Sequence, residues 1–188
     1  PGDVTRADEC RRSHVRHTAL KRSSTLGHMT GSEFHLKLEN FQITGSFKVR
    51  GAINKVHNLH PEERRKGVVA ASAGNHAQGV AYAARQAKVK CDIFMPEEAT
   101  LAKVVATKGY GAEVHLKGRD YQEAYEHALR FQQEKGAVYV RAFDDPFIMA
   151  GQGTLGLQVN QACPPVDPVL VPIGGAVLVA AGPPRPTT

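Results

Sequence analysis

The chain is predicted to be an α/β protein with parallel sheets, helices on both faces and a three-layer arrangement. Three observations carry that prediction. From Gly67 onward, short apolar runs alternate with segments of helical period. The clearest runs, Val68-Val69-Ala70-Ala71 and Cys91-Asp92-Ile93-Phe94-Met95, are continuously apolar but for one aspartate, as strands covered on both faces are. The segments between them are long enough for the crossover helices that parallel strands require. Residues 52–150 therefore read as one compact βα unit, and 1–51 and 151–188 as two pieces of a second domain.

Taken in order, residues 1–17 are polar and basic, with a helix expected over Glu9–His17. Leu20–Arg22 reads as a short strand and Ser23–Met29 as a helix. Glu33–Glu39 alternates polar and apolar residues, the pattern of a half-buried strand. Beyond Asn40–Ile43, the residues Val49, Ala52, Ile53, Val56 and Leu59 recur at helical spacing, with Ser46 placed to cap the helix. After the Val68–Ala71 strand comes a small-residue helix over His76–Ala87. Cys91–Met95 is the second strand of the array, Thr100–Lys108 a helix closed by Gly109, and Glu113–Lys117 the third strand. Tyr121, Ala124, Tyr125, Ala128 and Leu129 share one helical face. Val138–Arg141 is the fourth strand, Pro146 opens a helix reaching about Gln161, and Val169–Ile173 is the fifth strand.

Composition narrows the function. The 188 residues carry a formal charge of +6, spread along the chain and without interleaved aromatics, so nucleic-acid binding has no support. No run approaches the roughly 18 apolar residues of a membrane span. The N-terminus lacks an apolar signal core, and the 3 cysteines are far apart. A reducing compartment, the cytoplasm, is the expectation.

Chemistry concentrates in two places. Lys48 falls in the first turn of its helix, where the dipole disfavours a cation and the neutral amine gains. A neutral amine can attack a carbonyl carbon and form a Schiff base; an ordinary surface lysine is the alternative. Ser72-Ala73-Gly74-Asn75-His76 joins a strand to a helix. Its glycine permits a tight turn, and the unpaired N–H groups of the new helix suit a carboxylate or phosphate. Gly174-Gly175 also follows an expected strand and can cradle a phosphate, or form a plain turn.

Other motifs read as structural. Gly151-Gln152-Gly153-Thr154-Leu155-Gly156 matches G-x-G-x-x-G, but it follows a helix and lacks an acidic partner about 20 residues on. Its glycines are read as allowing close helix packing. His14/His17 and His57/His60 lack the companions of a metal site and read as solvated faces. Asp144-Asp145 is either an acid–base pair or a helix cap.

Together these residues resemble the fold type II pyridoxal-phosphate enzymes, and within them the threonine/serine dehydratases. The matching blocks are Leu36–Ala52, Ser72–Gly79, and Phe143-Asp144-Asp145-Pro146 running into Ile148–Thr154. The resemblance implies pyridoxal 5'-phosphate bound to Lys48 as an internal aldimine, Phe47 beside the ring, and Asn75 on the ring hydroxyl. It implies that Gly174 and Gly175 belong to the phosphate loop, and that Ser72, Ala73, Gly74, Asn75 and His76 hold the substrate carboxylate. The implied reaction converts L-threonine or L-serine to a 2-oxo acid and ammonia, with Lys48 as the base. The implied partner is a small amino acid, and the resemblance allows a homo-oligomer. The family's chains continue well past this point, so the larger domain is expected to be incomplete here.

Two departures stand out. The family's phosphate loop has four glycines, where this chain has Gly174-Gly175-Ala176-Val177. Serine racemases of the family carry a serine where Ala73 stands, and alanine moves no proton. A racemase-like enzyme is therefore the less favoured enzymatic reading. A non-catalytic binding or interaction module is the alternative from outside enzymology.

Overall fold

The structure, a computed structural model, describes residues 2–163 and 168–172. Its centre is a 4-stranded parallel sheet in the order β5-β4-β3-β6, formed by β3 (Val68–Ala71), β4 (Cys91–Met95), β5 (Glu113–Leu116) and β6 (Val138–Tyr139). Every residue of β3 and β4 is buried, as their continuous apolar runs require. Alternate residues serve opposite faces. Val68, Ala70, Ile93 and Met95 join a core with α5 (Asn75–Ala87) and Val104 of α6 (Leu101–Gly109). Val69, Ala71 and Phe94 pack on the other side against Ala128 of α7 (Tyr121–Lys135). Helix, sheet and helix make the three layers expected.

The strand order places a crevice. The chain steps from β3 to β4 to β5 in one direction, then returns through α7 to lay β6 on the far side of β3. Ligands of open α/β sheets bind outside the carboxyl ends of strands at such a reversal. The segments leaving β3 and β6 therefore face the same crevice.

Not every strand is parallel. β1 (Leu20–Arg22) and β2 (His35–Lys37) pair antiparallel, because only α2 (Ser24–Thr30) and a short return separate them. The strand expected at Val169–Ile173 is not formed over 169–172, where Leu170 is 76% exposed; Ile173 lies outside the described residues. The first helix, α1, runs over Gly2–Arg11 rather than Glu9–His17. Its buried stripe is Ala7, Asp8 and Arg11, with the last two paired to each other, so apolar spacing gives no sign of it.

Helix α3 (Lys48–His57) runs against α5 and α8 (Pro146–Ala162). Both expected domain boundaries, 51/52 and 150/151, fall inside these helices. The two helices meet backbone to backbone. A Cβ added at Gly151 would lie 2.5 Å from Gly51 Cα, and one at Gly51 would lie 2.8 Å from Ile148 O. The G-x-G-x-x-G run is thus a helical packing surface. Arg50, fully buried, donates to both Glu39 carboxylate oxygens at 2.7 and 2.8 Å and to Gln158 Oε1 at 2.9 Å. That bidentate pair pins the start of α3 to α8 and to the turn at Glu39–Phe41. Asp145 settles the acidic pair as a cap. Its Oδ1 accepts from the Phe147 and Ile148 N–H groups while Lys55 pairs with Oδ2 at 2.7 Å; Asp144 is exposed.

Candidate active site

Lys48 is the first residue of α3, as expected, but Ser46 does not cap it. The position before the helix is Phe47, whose φ of −62° and ψ of −17° are already helical. Ser46 therefore stands one residue too early to reach the first-turn N–H groups. Its hydroxyl, like that of Thr44, is buried without a hydrogen-bond partner among the described residues.

The Lys48 amine is half-buried, and Nζ donates to Ala142 O at 3.0 Å. It sits 5.3 Å from the Phe47 ring centroid. No carboxylate among the described residues pairs with it. Burial lowers its pKa, so desolvation does what was expected of the helix dipole.

The second part of the site is the turn from β3 into α5. Ser72 Oγ accepts from Gly74 N–H at 3.2 Å, which shapes the turn. Gly74 is the N-cap of α5, so no side chain satisfies the first N–H groups of this helix. Asn75 opens the helix and is exposed, with Ala73 half-buried before it. Gly79, one turn on, brings the two parts together. A Cβ there would lie 3.2 Å from Lys48 C and Val49 N, so α5 and the first turn of α3 touch through their backbones.

The exit of β6 ties both parts down. His76 Nε2 donates to Val140 O at 2.9 Å, and Lys48 donates to Ala142 O two residues later. The His76 side chain is thus buried against the exit of β6, and its backbone alone is left to the turn. Burial pushes the imidazole down to about 4; the bond to Val140 O opposes this and the Lys48 charge adds to it. The ring should therefore stay neutral in the folded chain as pH falls from the ordinary value of 6.5 toward 4. Over that window the unfolded chain binds more protons, so stability is lost as the pH drops from 6.5 toward 4. NMR titration of the histidine rings checks this: one ring, lost in His76→Gln, should titrate at about 4.

Lys48, Phe47 and the 72–76 turn, singled out from the sequence, lie close together where α3 and α5 meet the exit of β6. Sequence reasoning missed Ala142, which acts through a backbone carbonyl that any residue would supply. It missed Gly79, although a glycine one turn into an alanine-rich helix is a sign of close approach. Gly174 and Gly175 lie outside the described residues. His14 and His57, one from each expected pair, lie with ring centroids 4.4 Å apart and planes tilted by 35° instead of facing solvent separately.

The donor set fits the aldehyde end of pyridoxal phosphate. It offers a half-buried amine without a counter-ion among the described residues, an aromatic ring beside it and an uncapped helix start. A family model described as pyridoxal-phosphate dependent enzyme matches residues 11–182. The L-threonine ammonia-lyase of Thermotoga maritima is 51% identical over 178 residues, which are 95% of this chain and 44% of that protein. Maize serine racemase superposes with a TM-score of 0.93 at 32% identity, over 96% of this chain and 55% of that one. The processed form of threonine deaminase isoform 2 from Solanum lycopersicum gives 0.90 at 36% identity, over 96% and 49%. The chain spans about half the length of the relatives it matches.

Proposed function

Since the chain belongs to the pyridoxal-phosphate-dependent enzyme family, we propose that its site serves the dehydration and deamination of L-threonine, or of L-serine, to a 2-oxo acid and ammonia. The observation that carries the proposal is the Lys48 amine. It is half-buried, unpaired by any carboxylate among the described residues, and held in backbone contact with the α5 start. The ammonia-lyase and deaminase relatives support the substrate class.

Lys48 would hold the cofactor through its aldehyde, beside Phe47. When bound, the cofactor supplies an electron-withdrawing ring that acidifies the hydrogen on the amino-bearing carbon of the substrate. Once the substrate amine takes its place at the aldehyde, the freed Lys48 amine, with its pKa lowered by burial, would be the group that takes that proton. The uncapped N–H groups of α5 would bind the substrate carboxylate, and Asn75, exposed at the helix start, would hold the cofactor ring. Neutral His76 keeps a second positive charge away from Lys48 and fixes the turn against β6.

Racemisation is the second reading, favoured by the maize serine racemase likeness. Moving a proton to the opposite face of the carbon needs a second acid–base group, and Ala73 supplies none.

The test incubates the chain with pyridoxal phosphate and L-threonine or L-serine, following ammonia, 2-oxo acid and D-serine. Ammonia and 2-oxo acid in equal amounts, with little D-serine, are expected. Stoichiometric cofactor binding without product would make the chain a binding module. D-serine as the main product would make it a racemase.

A further inference from the structure

We propose that Asp92, Glu113 and His115 form a divalent metal site suited to zinc, at the edge of the parallel sheet and away from Lys48. The register of the sheet creates it. Asp92 of β4 pairs with Glu113 of β5, and His115 follows two residues on, so the three side chains share one face. Their ligating atoms lie within 4.8 Å of one another. His115 Nε2 is already 2.8 Å from Asp92 Oδ1, and its ring stacks on Phe94 with centroids 4.6 Å apart.

Asp92 is a carboxylate in the middle of an otherwise apolar strand, and its side chain is 4% exposed. A buried carboxylate requires a cationic or hydrogen-bonding partner. Here Lys90 adds its ammonium, 3.7 Å from Asp92 and 3.6 Å from Glu113. That ammonium shows where a cation gains from both carboxylates at once. Lys90 is on the surface, with a side chain 65% exposed, and can swing aside.

Imidazole and carboxylate oxygen suit zinc, bound at about 2.0–2.2 Å, which sets ligand atoms about 3.4 Å apart. Asp92 and His115 need little adjustment to reach this, and the exposed Glu113 side chain is free to close on them. Asp92 and Glu113 lie near the amino ends of their strands, whereas the Lys48 crevice lies beyond the carboxyl ends. The metal would therefore clasp the edge strand β5 to β4 and leave the reacting groups alone. Because the ligands converge only in the folded chain, binding would raise thermal stability.

The experiment strips the chain with a chelator and titrates it with zinc against a chromogenic competitor, with cobalt as the spectroscopic probe. One zinc per chain, a tetrahedral cobalt spectrum and a raised Tm are expected. Glu113→Gln and His115→Ala should each weaken binding at least about tenfold. Lys90→Gln should tighten it by removing the competing ammonium. Should His115→Ala fail to fold, the surface variants Glu113→Gln and Lys90→Gln still decide. Absence of stoichiometric zinc, or zinc affinity indifferent to these substitutions, overturns the proposal and leaves Asp92–His115 as a structural pair only.

Discussion

Lys48→Ala should lower 2-oxo acid release by at least about 10³-fold, because one substitution removes both the proposed covalent anchor and the proposed base. The fold should survive it. Lys48 is half-buried, and its recorded hydrogen bond is to one backbone carbonyl, Ala142 O. Thermal denaturation of the variant should therefore stay close to that of the parent chain. Borohydride reduction after incubation with pyridoxal phosphate gives a second readout. The added mass should map to the peptide containing residue 48 in the parent chain and be missing from the variant. Lys48→Arg should fail equally, since a guanidinium keeps its proton and cannot attack the aldehyde. Equal product from the parent and the alanine variant would remove Lys48 from the chemistry.

Gly151→Ala should destabilise the chain by about 3 kcal/mol or prevent folding, at the top of the usual range for overpacking. The new methyl group would meet Gly51 Cα at 2.5 Å and Arg50 O at 2.7 Å. Both are backbone atoms, so no side-chain rotation relieves the contact. Helices α3 and α8 would have to separate, straining the Gly51 N–H bond to Gln152 Oε1 and the Arg50 bonds to Thr154 and Gln158. Gly109→Ala is the matched control. Gly109 has open space around its missing Cβ, so this substitution should be neutral or stabilising by up to about 1 kcal/mol. Chemical denaturation of the two variants beside the parent tests the contrast.

What the sequence made legible follows from where its physics is local. Val68–Ala71 and Cys91–Met95 are strands because a short apolar run bounded by turns has few other ways to bury itself. Lys48 and the 72–76 turn were visible because helix starts advertise themselves through spacing and glycine. Charged or backbone-mediated packing stayed hidden. Helix α1 buries Asp8 and Arg11 as a pair, which no apolar periodicity reveals. The helical φ and ψ of Phe47, which deny Ser46 its capping role, are not marked by residue type. Over 169–172 the expected strand is not formed, because apolar content alone does not supply a strand to pair with.

The bond from Lys48 to Ala142 joins residues 94 positions apart, and those from Arg50 to Thr154 and Gln158 join residues 104 and 108 apart. On a ribosome, α3 would thus emerge long before the groups that hold it. At ordinary synthesis speeds the delay is roughly 5–20 s. During that interval Arg50 would keep its charge in water, and the amine at residue 48 would be as basic as any exposed lysine. Its reactivity would arrive late in the life of the nascent chain, with the helix that closes behind it.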